Sequence, residues 1–350
     1  MSRRADGFEA PAVRGLPDGD RVVMGHGAGG RKMHRLIREL FLAEFGNPVL
    51  NALGDAAELE PGRGRPAVST DSYVVQPLFF PGGDIGKLSV CGTVNDLAMA
   101  GAVPRWLTVG FILREGLSLA ALGRVCRSLA ATARAAGVQV VTGDTKVIER
   151  GEQEEMYVNT TGVGVIPARL RLGPARVRPG DALVVNGPLG EHEAAIAVAR
   201  GGYRFRARVK SDCAALPRLC EGLVRAGGVR MMRDPTRGGF ATTLNELAEA
   251  TGLGFIVEEK LVPVSRTVAG VAALLGLDPL YMANEGKVIA VCCPRRADGL
   301  VAAARRFATG RQARRVGTVV REPAGVWLRT RLGSLRRLIM LEGEQLPRIC

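Results

Sequence analysis

No stretch of this 350-residue chain approaches the roughly 20 consecutive apolar residues that a membrane-spanning helix needs. The opening "MSRRADGFEAPAVRGLPDGD" lacks the apolar core of a signal peptide, so 1–20 reads as a polar leader and the chain as cytoplasmic. Cysteine is sparse and unpatterned: seven residues, none in CxxC spacing, which excludes the common zinc frameworks. In a reducing compartment most of them are expected to be small buried hydrophobes. Aromatics are only 5% of the chain, and the 48 basic residues form no Lys/Arg run. The net charge of +14 therefore carries no nucleic-acid reading, although it favours anions such as nucleotide phosphates. Lysine is the rare base. Only Lys32, Lys87, Lys146, Lys210, Lys260 and Lys287 occur, several beside Gly and Asp, where a compact point charge has a distinct use.

A hydrophobic content of 47% over this length supports a sizeable core and two domains. Apolar spacing predicts a helix in "RKMHRLIRELFLAEF" and another in "SLAALGRVCRSLAATARAAG", capped by Ser118 and closed by Gly137. "LTVGFIL", "MYVNTTGVGVI" and "ALVVN" read as strands, and "VQVVTGD" as a buried strand entering a polar loop. Helices are expected around 191–200, 212–226 and 240–251. "PARLRLGPARVRPGD" reads as a boundary. The expected division is a leader 1–20, an N-terminal domain 21–168, a C-terminal domain 175–330 and a tail 331–350. The interleaving favours an α/β or α+β fold.

Chemistry is suggested by polar loops, all but one of which join glycine to a carboxylate or lysine: "GHGAGGRK", "STDSY", "FPGGDIGK", "GTVNDLAMAGA", "GDTK", "RDPTRGG" and "NEGK". None has Walker A or dinucleotide-fold spacing. Glycine loops can cradle phosphate through backbone N–H groups, and Asp71, Asp96 and Asp144 are hard oxygen ligands suited to Mg²⁺. Each Gly-Asp pair alone is as readily a turn; the set together points to phosphate handling. The chain also ends on a bare thiol, in "LPRIC". Prenylation does not account for Cys350, because that signal places its cysteine four from the end.

The series "GHGAGGRKM", "TDSYVVQPLFFPGGDIGKLSVCGTVNDLAMAGA", "VTGDTKV", "RDPTRGG", "LDPLYMANEGK" and "LPRIC" resembles the HypE family of [NiFe]-hydrogenase maturation proteins, from about Met24 to Cys350. That family sits in the AIR synthase-related (PurM-like) group with selenophosphate synthetase and thiamine-monophosphate kinase. The resemblance implies a two-domain fold whose N-terminal domains pair in a homodimer, with ATP bound between the N- and C-terminal domains. It implies a HypF-type carbamoyltransferase that loads the terminal cysteine and ATP-dependent dehydration of that thiocarbamate to a thiocyanate. The cyano group then passes to iron on a HypC–HypD scaffold.

The resemblance places Asp71, Asn95, Asp96 and Asp144 in the metal–ATP site, with Asp84, Lys87 and Asp234 as further cofactor-binding candidates. The resemblance makes Cys350 the carrier of the carbamoyl group. Lys146 and Glu285 are the candidates for work upon it, with His26 in the glycine loop as a weaker one. For Glu285 the competing expectation is an ion pair with Lys287, and for His26 a surface position. Asp234, Thr236 and Arg237 either bind phosphate or close a helix start. Around His192 the family's usual Gly-Asp-His-Gly becomes Gly190-Glu191-His192-Glu193. Two other readings share the motifs: a sister ATP-using enzyme, though "GHGAGGRK" lacks the Cys typical of selenophosphate synthetases, and a non-enzymatic scaffold.

Overall fold

The computed structural model describes residues 21–341, except 55, 152–153 and 202–207. The leader and Cys350 lie outside the described residues.

In the first half the helical run predicted from Arg31 forms as α1 (Arg31–Leu36), a π-helical turn over Ile37–Phe41 and α2 (Leu42–Phe45), followed by α3 (Pro48–Asn51). Then come β1 (Arg65–Tyr73), the short β2 (Phe79–Phe80) and β3 (Gly83–Asp84), α4 (Ile85–Met99), β4 (Val103–Arg114), α5 (Leu119–Ala136), β5 (Gln139–Ile148) and β6 (Met156–Ile166). Ser118 caps α5 and Gly137 closes it in the left-handed region, as expected. The main strands form a sheet of order β1-β6-β4-β5, antiparallel except for β4–β5.

Three segments read as loops are regular structure. "STDSY" is the end of β1, "GDTK" lies inside β5, and most of "GTVNDLAMAGA" belongs to α4. Helix α4 is buried nearly all round, as a helix with no polar stripe must be. Leu88, Val90, Cys91 and Val94 enter the core of the first half, whereas Ala98 and Met99 enter a core of the second. One helix thereby joins both halves.

The second half runs through β7 (Ala182–Val185), α6 (Glu191–Ala199), α7 (Pro217–Ala226), β8 (Val229–Arg233), α8 (Gly239–Thr251), β9 (Gly254–Glu258), α9 (Arg266–Leu275), β10 (Ile289–Cys292), α10 (Ala297–Ala304), β11 (Arg314–Val320), β12 (Gly325–Arg329) and β13 (Leu335–Leu338). Its seven strands order as β13-β12-β9-β11-β7-β10-β8. Side chains of β7 and β10 alternate between two cores: Leu183, Val185, Ile289 and Val291 on one face, Ala182, Val184, Ala290 and Cys292 on the other. Both faces are covered, which explains the unbroken apolar run "ALVV". Strand β13 pairs with β12 and lies within the stretch read as tail, so the sheet extends to Leu338. Tyr281 Oη donates to Ile339 O (2.7 Å) just beyond it. Cys91, Cys126, Cys213, Cys220 and Cys292 are buried, as expected, and Cys293 is half-buried.

Candidate functional site

Register splits the candidate residues into two groups. Asp71, Thr160, Val109 and Gly143 lie in one row across the sheet, and Asp144 is one residue further on, opposite Gly110. Because side chains alternate, Asp71 and Asp144 project from opposite faces. They also sit on opposite edge strands, three spacings or about 14 Å apart. Asp144 and Lys146 share the open face, which also exposes Val68 and Ile112. Asp71 is on the face covered by α4. The expected trio Asp71, Asp96 and Asp144 is therefore not gathered within one chain. Among the described residues no three His, Cys, Asp or Glu side chains cluster closely enough to hold a metal alone.

The first group lies where the halves meet. Ser69 Oγ on β1 donates to Asp96 Oδ2 on α4 (2.6 Å). Asp96 faces Asp234, which follows β8, across a cleft of about 370 Å³ also lined by Ser69, Arg233 and Thr236. Arg237 closes onto Asp71 at 3.4 Å. Burial, together with the nearby Asp96 charge, pushes the Asp234 carboxyl up to about 7. Burial raises Asp96 as well, with Asp71 adding to it. Asp96 and Asp234 across this cleft, with the Asp71 charge adding to both, disfavour one another's charge, a conflict that a divalent cation relieves. Mg²⁺ needs only one or two protein carboxylates beside phosphate oxygens, so the set fits that ion.

Glu285 is buried within electrostatic reach of Asp234 and Asp71. Burial holds its carboxyl well above the usual range, reinforced by the Asp212, Asp234 and Asp71 charges and by Cys91. The expected ion pair with Lys287 does not form; Lys287 Nζ instead binds Asp212 Oδ2 (2.8 Å) and Glu191 Oε2 (3.1 Å). Sequence reasoning did not single out Asp212. Nothing local marks it, since its partners lie more than 70 residues further along the chain. The two departures from the family pattern on α6 both reach this loop. Glu191 holds Lys287, and Glu193 Oε2 accepts from the Ala283 N–H (2.7 Å).

Three other candidates have structural bonds. Asp84 is the N-cap of α4: Oδ1 accepts from the Gly86 and Lys87 N–H groups, and Oδ2 from Ser128 Oγ (2.6 Å). Both its oxygens are thus occupied. Asp84→Ala is expected to cost about 1–2 kcal/mol in a urea melt while changing ATP affinity less than about twofold. Asn95 bridges the halves, donating to Ala214 O (3.1 Å) and accepting from the Leu216 N–H (2.7 Å). Lys87 Nζ donates to Gly82 O at 2.8 Å.

The second group is at the β5 edge. His26 is buried, not at the surface, and its Nδ1 accepts from the Val23 N–H (3.1 Å). Gly27 beside it packs against the Val147 backbone, where a Cβ would stand 2.7 Å from the nitrogen. The glycine loop therefore belongs with Asp144 and Lys146, across the sheet from Glu285. His192 is buried on α6, with Nδ1 2.8 Å from Ser211 Oγ and its ring edge-on to Phe80. Burial lowers it to about 4, so it is neutral at pH 7.

Family models agree with this architecture. The N-terminal domain of AIR synthase related protein matches residues 53–166, and the C-terminal domain matches 178–327. Carbamoyl dehydratase HypE of Cupriavidus necator is 51% identical over 333 residues, which is 94% of this chain and 95% of that protein. A crystal structure of hydrogenase maturation protein HypE in complex with ATP is 48% identical, with a TM-score of 0.90 over 94% of this chain and 99% of its own. A crystal structure of a HypE–HypF complex is 38% identical, with a TM-score of 0.77 over 87% of this chain and 99% of its own. With both domains matched in order and half of its residues shared with a relative along nearly its full length, the chain belongs to the carbamoyl dehydratase HypE family.

Proposed function

We propose that this protein removes water from a carbamoyl group carried on Cys350, leaving a thiocyanate that supplies cyanide to the iron of a [NiFe]-hydrogenase. The observation that carries the reading is the buried Glu285 carboxyl, within electrostatic reach of Asp234 and Asp71 at the junction of the halves. Converting S–C(=O)–NH₂ to S–C≡N breaks the C–O bond and removes both protons from nitrogen. ATP with Mg²⁺ supplies the phosphoryl group that turns the carbamoyl oxygen into a leaving group.

The protein's own part is to bind, orient and move protons. Asp96 and Asp234 would hold the cation, with Asp71 close by, and Arg233 and Arg237 would meet the phosphates. Glu285 takes a proton from nitrogen; its raised affinity for protons makes it a stronger base than an ordinary carboxylate. Lys146 and Asp144 act from the open face of the sheet, with the His26 loop beside them. Pairing of two such faces in a homodimer would cover Val68 and Ile112 and give these residues a second chain to serve. A HypF-type carbamoyltransferase loads Cys350, as the HypE–HypF complex of a relative supports, and a HypC–HypD complex receives the cyano group. The cytoplasm, where thiols stay reduced, is the compartment that suits a free terminal Cys350.

Mass spectrometry tests the reading. Carbamoylated protein given Mg·ATP should lose the mass of one water at Cys350. An unchanged mass with ATP still bound would remove the dehydratase assignment and favour a scaffold. Full turnover of a free substrate by Cys350→Ala would favour a sister enzyme.

A further inference from the structure

The geometry points to Asp212 as the positioning residue for Glu285: its single carboxylate grips the backbone on both sides of that residue. Oδ1 accepts from the Glu285 N–H (3.2 Å) and Oδ2 from the Gly286 N–H (3.0 Å). Lys287 Nζ, from the same loop, binds Oδ2 as well. The return bond runs from the Ala214 N–H to Glu285 O (3.3 Å). Gly286 lies so close that any Cβ would collide with the Asp212 carbonyl oxygen, which brings the two loops into backbone contact.

Asp212 itself is anchored in the first half of the molecule. The Ser211 N–H donates to Pro81 O (2.8 Å), Cys213 packs in the first-half core with Cys91, and Asn95 holds Ala214 and Leu216. The segment 211–216 therefore transfers the position of α4 to Glu285. A reacting carboxyl must be placed to within a fraction of an ångström, and a 1 Å error costs about 10²-fold in rate. Asp212 does not touch the reacting atoms; it acts through Glu285. The inference rests on the reading of Glu285 given above.

A double-mutant cycle tests it, using the full chain loaded with a carbamoyl group. Single-turnover water loss at saturating Mg·ATP is followed by mass, and ATP affinity by titration of a fluorescent ATP analogue. Asp212→Ala should slow water loss about 10²-fold with ATP affinity within about threefold of the parent. In a Glu285→Gln background the same change should cost less than about threefold more, because its effect is already spent. Asp212→Asn keeps one acceptor and should fall between, which also serves if the alanine variant does not fold. Losses that multiply, or an Asp212→Asn variant at the parent rate, would overturn the inference. Glu285→Gln at the parent rate would instead sink the assignment of Glu285, whatever Asp212 does.

Discussion

Glu285→Gln is expected to slow dehydration of the carbamoylated tail by about 10²–10⁴-fold, the usual worth of a positioned general base, without abolishing ATP binding. The amide keeps the shape and loses only the ability to take a proton. The parent rate should rise with pH through the raised Glu285 value, because the base works when deprotonated, and the Glu285→Gln variant should lack that limb. Stability should move the opposite way. A carboxyl whose folded value is raised favours the folded state most below its unfolded value of about 4.3, and that contribution is lost as pH rises through the folded value. At neutral pH the variant is freed of this cost and should melt higher than the parent. A lower rate with an unchanged or reduced melting temperature would show that Glu285 is neither buried nor perturbed as described. The trade of stability for function is itself a mark of a working site.

Lys287→Ala should be among the most damaging changes outside the reacting group, at about 3–5 kcal/mol in denaturant melts. Both partners of the Lys287–Asp212 pair are almost wholly buried, with side chains 6% and 3% exposed, so removing one strands the other's charge. Burial alone would raise Asp212, but the Lys287 charge and hydrogen bond, helped by the Glu285 N–H, hold it below the ordinary carboxylate range. For Lys287, burial alone would lower the ammonium, and Asp212 and Glu191 hold it above its usual value. The signs fix the pH window. The depressed carboxyl contributes above about pH 4 and loses that contribution as pH falls through its folded value; the raised ammonium contributes below about pH 10.4 and loses it above. The loss in Lys287→Ala should thus be flat between about pH 5 and 9 and shrink in acid. A loss below about 1 kcal/mol at pH 7 would mean that water reaches the pair.

Sequence reading reached the two-domain α/β architecture because its signals are local: the Ser118 cap, the Gly137 stop and the alternation-free strand "ALVV". It misplaced two motifs because it treated glycine as a maker of turns. Gly92 sits inside α4 because any Cβ there would strike the Tyr73 hydroxyl, and Gly143 lies inside β5 because a Cβ would strike the Val109 carbonyl. In both places glycine serves close packing. The acids were legible as a set but not in their division. Asp84 and Asn95 carry the same chemistry as ligands, and only the fold assigns them to a helix cap and a clasp between halves. Asp212 was invisible because its meaning comes from two loops that meet only after folding.

The buried cysteines have a consequence for chemoselectivity. Burial pushes Cys292 up to about 12 and raises Cys126 and Cys220, and contact with Cys91 together with burial raises Cys213. Thiols so protonated are poor nucleophiles at pH 7. A thiocarbamate or thiocyanate is an electrophile that a neighbouring thiolate would strip by exchange. Among the described residues only Cys293 is partly open to such attack. Brief alkylation of the native protein should therefore label at most Cys293 and Cys350, and prior carbamoylation should block one of the two. The packing of the core thus protects a labile one-carbon cargo by keeping competing thiols silent.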